Sequence, residues 1–128
     1  MQKPIFTIKD LSCSYTRNKQ DSVLDIKNFQ ISEGEVIFLL GASGSGKSTL
    51  LETLALMNNT IAGGDIVFHS PDGNIYSYAD LWKNRDEEDI SDIRSKNFSF
   101  IFQNTNLMDN FTAYENICIS SMIKDTEL

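Results

Sequence analysis

The chain has 128 residues, 41% of them hydrophobic, which bounds it to one domain or part of one with an ordinary globular core. Its 18 Asp and Glu against 11 Lys and Arg leave a net charge of −7, which argues against a nucleic-acid partner and against electrostatic docking on an anionic membrane. The longest strongly apolar run, Val36–Leu40, is far short of the ~20 residues that cross a bilayer, and the first residues, Met1 to Lys9, hold no long apolar core of a secretory signal.

Ile5–Leu11 alternates apolar and polar and predicts a strand. Thr16–Ser22 is polar and reads as a loop or hairpin. Val23–Ile31 alternates loosely, as a half-solvated antiparallel strand does, and Ser32–Gly34 is a turn. Val36–Leu40 is wholly apolar and predicts a buried strand. A helix then runs from about Thr49 to Met57. Gly63-Gly64 is expected to end that segment, with a short strand at Asp65–Phe68 and a turn at Pro71–Asn74. Tyr78–Trp82 predicts a short helix. The acidic stretch 84–92 is a solvated helical face leading into Ile93-Arg94, not a metal site. Asn97–Phe102 is aromatic and β-branched, a buried strand that delivers Gln103 at its C-terminal end, where open sheets place ligand contacts. Thr112 and Glu115 form a capping box for a helix over about 113–123. Cys13 and Cys118 form no metal or redox spacing and read as two buried thiols; His69 is alone and reads as a strand-end residue.

One segment carries chemistry. Gly41-Ala-Ser-Gly-Ser-Gly-Lys-Ser-Thr49 fits G-x-x-x-x-G-K-[ST], between the apolar run and the helix. Glycines let consecutive backbone N–H groups turn inward on phosphate oxygens. Lys47 is a point charge for the β- and γ-phosphates, and Ser48 offers a hydroxyl to Mg²⁺. Gly41, Ser43, Gly44, Ser45, Gly46 and Thr49 complete the phosphate cradle, and the helix N-terminus adds its partial positive charge.

Together with its neighbours, this segment resembles the nucleotide-binding subunits of ABC transporters. Residues 41–51 look like that family's Walker A segment, with Ala42 where Pro is frequent. Phe100-Ile-Phe-Gln103 looks like its Q-loop, Phe111–Ile117 like the segment beyond it, and Leu11-Ser-Cys-Ser-Tyr15 like its A-loop. Asp89–Arg94 is most similar to the branch serving lipoprotein release, macrolide export and cell-division permeases; Ser99 departs from the Gly common there.

The resemblance implies an α/β fold: a P-loop NTPase core of the ABC type joined to an N-terminal antiparallel β-subdomain. It implies MgATP as ligand, with Tyr15 stacking on the adenine through its ring, the hydroxyl being dispensable. Gln103 would bind Mg²⁺ or orient the attacking water, so Lys47 and Gln103 would be catalytic and Ser48 and Gln103 would hold the metal. The implied partners are a membrane permease, met through the segment after Gln103, and a second ATP-binding subunit. No nucleic-acid partner and no direct membrane insertion are expected, and the expected location is cytoplasmic, peripheral at the inner face of the membrane through its permease partner. No Leu-Ser-Gly-Gly and no apolar strand ending in Asp-Glu occur in the 128 residues. The expectation is therefore the N-terminal part of an ABC domain, residues 1–128, truncated before the Walker B strand. Its core sheet would be left with a gap, and alone it would bind MgATP without hydrolysing it. Two other readings share the P-loop: a non-catalytic nucleotide-binding or interaction fragment, and a small P-loop kinase. The kinase should carry an Arg-rich lid, and Arg17, Arg85 and Arg94 are scattered.

Overall fold

The computed structural model describes residues 2–84, 87–102 and 107–123. Strand β1 (Pro4–Cys13) pairs antiparallel with β2 (Leu24–Ser32) on one side and with β3 (Ile61–His69) on the other. β3 continues the sheet antiparallel to β4 (Ile75–Ser77), giving the order β2-β1-β3-β4. A 3-10 turn at Lys19–Asp21 sits in the first connection, capped by Asn18, whose side chain accepts from Gln20 N at 3.1 Å.

β1 buries Phe6 and Ile8, exposes both Lys9 and Asp10, then buries Leu11 and Cys13. Simple alternation would put the second pair on the wrong face, because the side-chain period of a strand is two. A register shift against β3 between Lys9 and Ser12 corrects the parity, with Asp10 at φ +47°. Gly64 of β3 stands against this bulge at φ +71°, where a Cβ would lie 2.1 Å from the Asp10 carbonyl oxygen. The glycine pair at 63–64 therefore does not end a segment, as the sequence predicts; β3 runs through it, and glycine is there because two backbones meet.

Helices α1 (Lys47–Leu54), α2 (Tyr78–Asn84) and α3 (Glu87–Asn97) add Leu50, Tyr78, Ile90 and Ile93 to the core that β1 and β3 build from Phe6, Ile8, Ile66 and Phe68. Phe98 follows α3 and closes an aromatic cluster, its ring centroid 5.0 Å from Phe68 and 5.9 Å from Phe6. Helix α4 (Ala113–Ile123) opens on the predicted capping box: Thr112 N donates to Glu115 Oε1 at 3.2 Å, and Glu115 N donates to Thr112 Oγ1 at 3.1 Å. Cys13 and Cys118 are both buried and unpaired, and His69 closes β3. No helix among the described residues is long and apolar enough to cross a membrane.

Two predicted strands are not formed. Val36–Leu40 joins no ladder, and Val36, Phe38 and Leu40 are 81%, 81% and 91% exposed. In the other segment Asn97 ends α3, residues 98–102 are irregular, and Ile101 is 91% exposed. A strand satisfies its backbone groups through a neighbour, and no described residue pairs with either run. The described architecture is thus mixed α/β with an antiparallel sheet; it contains no parallel ladder among the described residues.

Candidate functional site

The loop from Gly41 to Gly46 connects the exposed apolar run to α1. Gly44 and Gly46 take φ +84° and +91°, flanking Ser45, the alternation that gathers amides into an anion-binding hollow. Gly46 is also the N-cap of α1, and no side chain bonds the helix's first amides. The amides of Lys47, Ser48 and Thr49 thus head a helix with no acceptor inside it, at the positive end of its dipole. A Cβ on Gly46 would lie 2.9 Å from the Val23 carbonyl oxygen, so glycine lets the loop rest on the start of β2.

Lys47 Nζ folds back and donates to the carbonyl oxygens of Gly41 and, at 3.1 Å, of Ala42. The cation is held over the mouth of the loop. The Ser48 hydroxyl makes no hydrogen bond to another described residue. Tyr15, just past the end of β1, is 62% exposed, and its hydroxyl meets Thr49 Oγ1 at 2.8 Å. Tyr15, Val23 and residues 43–49 line one concavity of about 510 Å³.

The structure therefore brings together Tyr15, Ser43, Gly44, Ser45, Gly46, Lys47, Ser48 and Thr49. Gly41 lies behind them and contributes its carbonyl to Lys47. Gln103 lies outside the described residues, as do 104–106 of the segment after it. A second hollow of about 700 Å³ has Lys47, Ser48 and Leu51 on one wall and Ile37–Leu39 and Phe100–Phe102 on others. Both predicted strands thus border the head of α1, although neither is paired among the described residues.

The far end of α1 is held by residues that sequence reading missed. The Tyr78 hydroxyl donates to Leu54 O at 2.7 Å, and Arg94 Nη1 donates to Leu56 O at 2.7 Å. Inside the helix, Thr53 Oγ1 donates to Thr49 O at 2.6 Å and meets Thr60 Oγ1 at 2.7 Å. Burial pushes the Tyr78 phenol well above its ordinary value, and burial also raises the Cys13 thiol beside Thr53 and Thr60. These partners lie 24 and 38 positions from the carbonyls they cap, and no local signal announces them.

Residues 24–128 match the family model described as ABC transporter. The lipoprotein-releasing system ATP-binding protein LolD of Rickettsia bellii (strain RML369-C) is 36% identical over 124 residues, 96% of this chain and 49% of that protein. LolD of Francisella tularensis subsp. holarctica (strain OSU18) is 32% identical over 120 residues, 93% of this chain and 48% of that protein. The macrolide export ATP-binding/permease protein MacB of Pasteurella multocida (strain Pm70) is 29% identical over 128 residues, 99% of this chain and 18% of that protein. The chain spans about half the length of the LolD relatives it matches.

Proposed function

The chain belongs to the ABC transporter family, and on that premise we propose that residues 41–49 with Tyr15 bind MgATP in a protein whose ATP hydrolysis drives a membrane permease. The observation that carries this is convergence: Tyr15 and the loop 43–49 face one concavity, although they come from separate parts of the chain. The amides at the head of α1 and the Lys47 ammonium suit a polyphosphate, and Tyr15 supplies an aromatic face for the base. LolD and MacB are both named as ATP-binding proteins of transport systems, which supports the same reading.

The donor set fits Mg²⁺. Ser48 offers a hydroxyl oxygen with no hydrogen-bond partner among the described residues, at the helix start, a hard ligand of the kind Mg²⁺ takes with phosphate oxygens and water. Among the described residues no cluster of His, Cys, Asp or Glu competes for a metal. Bound there, the ion would neutralise charge on the phosphates. Ser48 would hold it and Lys47 would balance the transferred group. Gln103 is the proposed second ligand or water-positioning group. Residues after Gln103 are proposed to meet the permease, a second ATP-binding subunit to close the site, and the protein to work at the inner face of the membrane. The chain is read as the N-terminal part of that domain, its runs 36–40 and 98–102, unpaired among the described residues, belonging to the P-loop core sheet.

Titration of a fluorescent ATP analogue against parent and Lys47→Ala tests the reading. The variant is expected to lose most of its affinity, because two phosphates lose their cation while the loop amides remain. Equal affinity in both proteins would remove the phosphate assignment.

A further inference from the structure

The side chain of Thr49 has a role that its place in the loop motif does not assign. We propose that Thr49 Oγ1 is a positioning group: it holds the Tyr15 ring at the mouth of the phosphate cradle, so that the base of a nucleoside triphosphate meets a ring already in place. The inference rests on the MgATP reading of the same site.

The two ends of this contact differ in freedom. Thr49 is fixed: it is 5% exposed, sits in the first turn of α1, and its carbonyl accepts from Thr53 Oγ1 at 2.6 Å. The backbone on either side of Tyr15 is fixed too. Ser14 N donates to Thr60 O at 2.7 Å, and Arg17 N donates to Ser14 O at 3.3 Å. Tyr15 as a whole residue is 62% exposed, so its ring has little packing to choose its rotamer. Its hydroxyl, 2.8 Å from Thr49 Oγ1, supplies the restraint that packing does not. A ring left free would have to be ordered at each binding event, and ordering a rotamer-rich side chain weakens association. The bond also joins the end of β1 to the head of α1, so base site and phosphate site are set relative to each other by one pair of hydroxyls.

The test compares ATP with inorganic tripolyphosphate, which fills the cradle and has no base. Dissociation constants are measured on the intact chain for the parent, Tyr15→Phe, Thr49→Val, the double variant and Thr49→Ser. In Tyr15→Phe and Thr49→Val the ratio of ATP to tripolyphosphate affinity is expected to fall about three- to tenfold, the range of one hydrogen bond. The double variant should fall no further than either single one, because both remove the same bond. Thr49→Ser keeps the hydroxyl and should restore the ratio. Unchanged ratios, equal loss of both ligands, additive losses, or tighter ATP binding in Tyr15→Phe would each overturn the positioning role. A parent that binds neither ligand would overturn the MgATP reading and this inference with it. A parent that binds both, with additive or absent effects in the variants, would overturn the inference alone.

Discussion

At Gly64 a single methyl group decides the sheet. The residue holds φ +71°, and a Cβ would lie 2.1 Å from Asp10 O, a backbone atom that cannot swing aside. Gly34, at φ +81°, has nothing within 4 Å of the same position. Gly34→Ala should therefore cost only the left-handed backbone term, about 1 kcal/mol. Gly64→Ala adds overpacking of about 1–3 kcal/mol, a large share of a domain's typical ~5–15 kcal/mol. Urea unfolding of the two variants measures the difference; equal midpoints would mean that the bulge yields at no cost. The sequence reads this pair as the end of a segment because glycine's usual local role is punctuation, whereas its use here depends on a bulge more than fifty positions earlier in the chain. Tyr15 shows the same boundary. Its aromatic character and its place after β1 are legible by resemblance, and the hydroxyl reads as dispensable. The partner that the hydroxyl meets, Thr49, is 34 positions away and is visible only once the chain is folded.

Helix α1 is eight residues long, too short to persist in water on its own propensity. Its far end depends on Tyr78 and Arg94, which satisfy the carbonyls of Leu54 and Leu56. Tyr78→Phe should destabilise the protein by about 1–2 kcal/mol, because Leu54 O loses its donor. The same variant should also change the pH dependence. Burial raises the phenol's folded pKa above its unfolded value of about 10, so the stability this group contributes is fully present below pH ~10 and is lost as pH rises beyond it. Cys13, also raised by burial, has the same sign in parent and variant and cancels in their difference. Denaturant titrations across the alkaline range should show a steeper decline in the parent; parallel curves would mean that the phenol is not held protonated by the fold. Legibility at this scale follows the range of the cause. The capping box of α4, the strand pattern of β2 and the turn at Pro71–Asn74 are written within a few residues, and they fold as read. Val36–Leu40 and Asn97–Phe102 carry strand-forming residues, yet a strand is a relation between two segments, and their own residues do not supply the second one.

For the whole molecule, binding and turnover separate. Phosphoryl transfer is lowered almost entirely by positioning and by electrostatic closure around the phosphates. On the proposed reading residues 1–128 supply the cradle, Lys47 and Ser48, but they contain no Leu-Ser-Gly-Gly and no apolar strand ending in Asp-Glu. A polypeptide of these residues should bind MgATP and release phosphate no faster than its Lys47→Ala control, since each ~1.4 kcal/mol of missing stabilisation is tenfold in rate. Turnover that vanishes in the control would show that a water-positioning group exists within these residues. The exposed run beside the P-loop has a further, colloidal consequence. Val36 to Leu40 is five uncharged apolar residues, three of them β-favouring, that pair with no strand among the described residues, the composition that seeds cross-β stacking between copies. The net charge of −7 keeps copies apart only while it is unscreened, and at 1 M salt the screening length falls to about 3 Å. Such a polypeptide should therefore cloud as salt is added, at a rate that light scattering follows. Phe38→Lys should keep the solution clear; clouding at the parent's rate would place the sticky surface elsewhere.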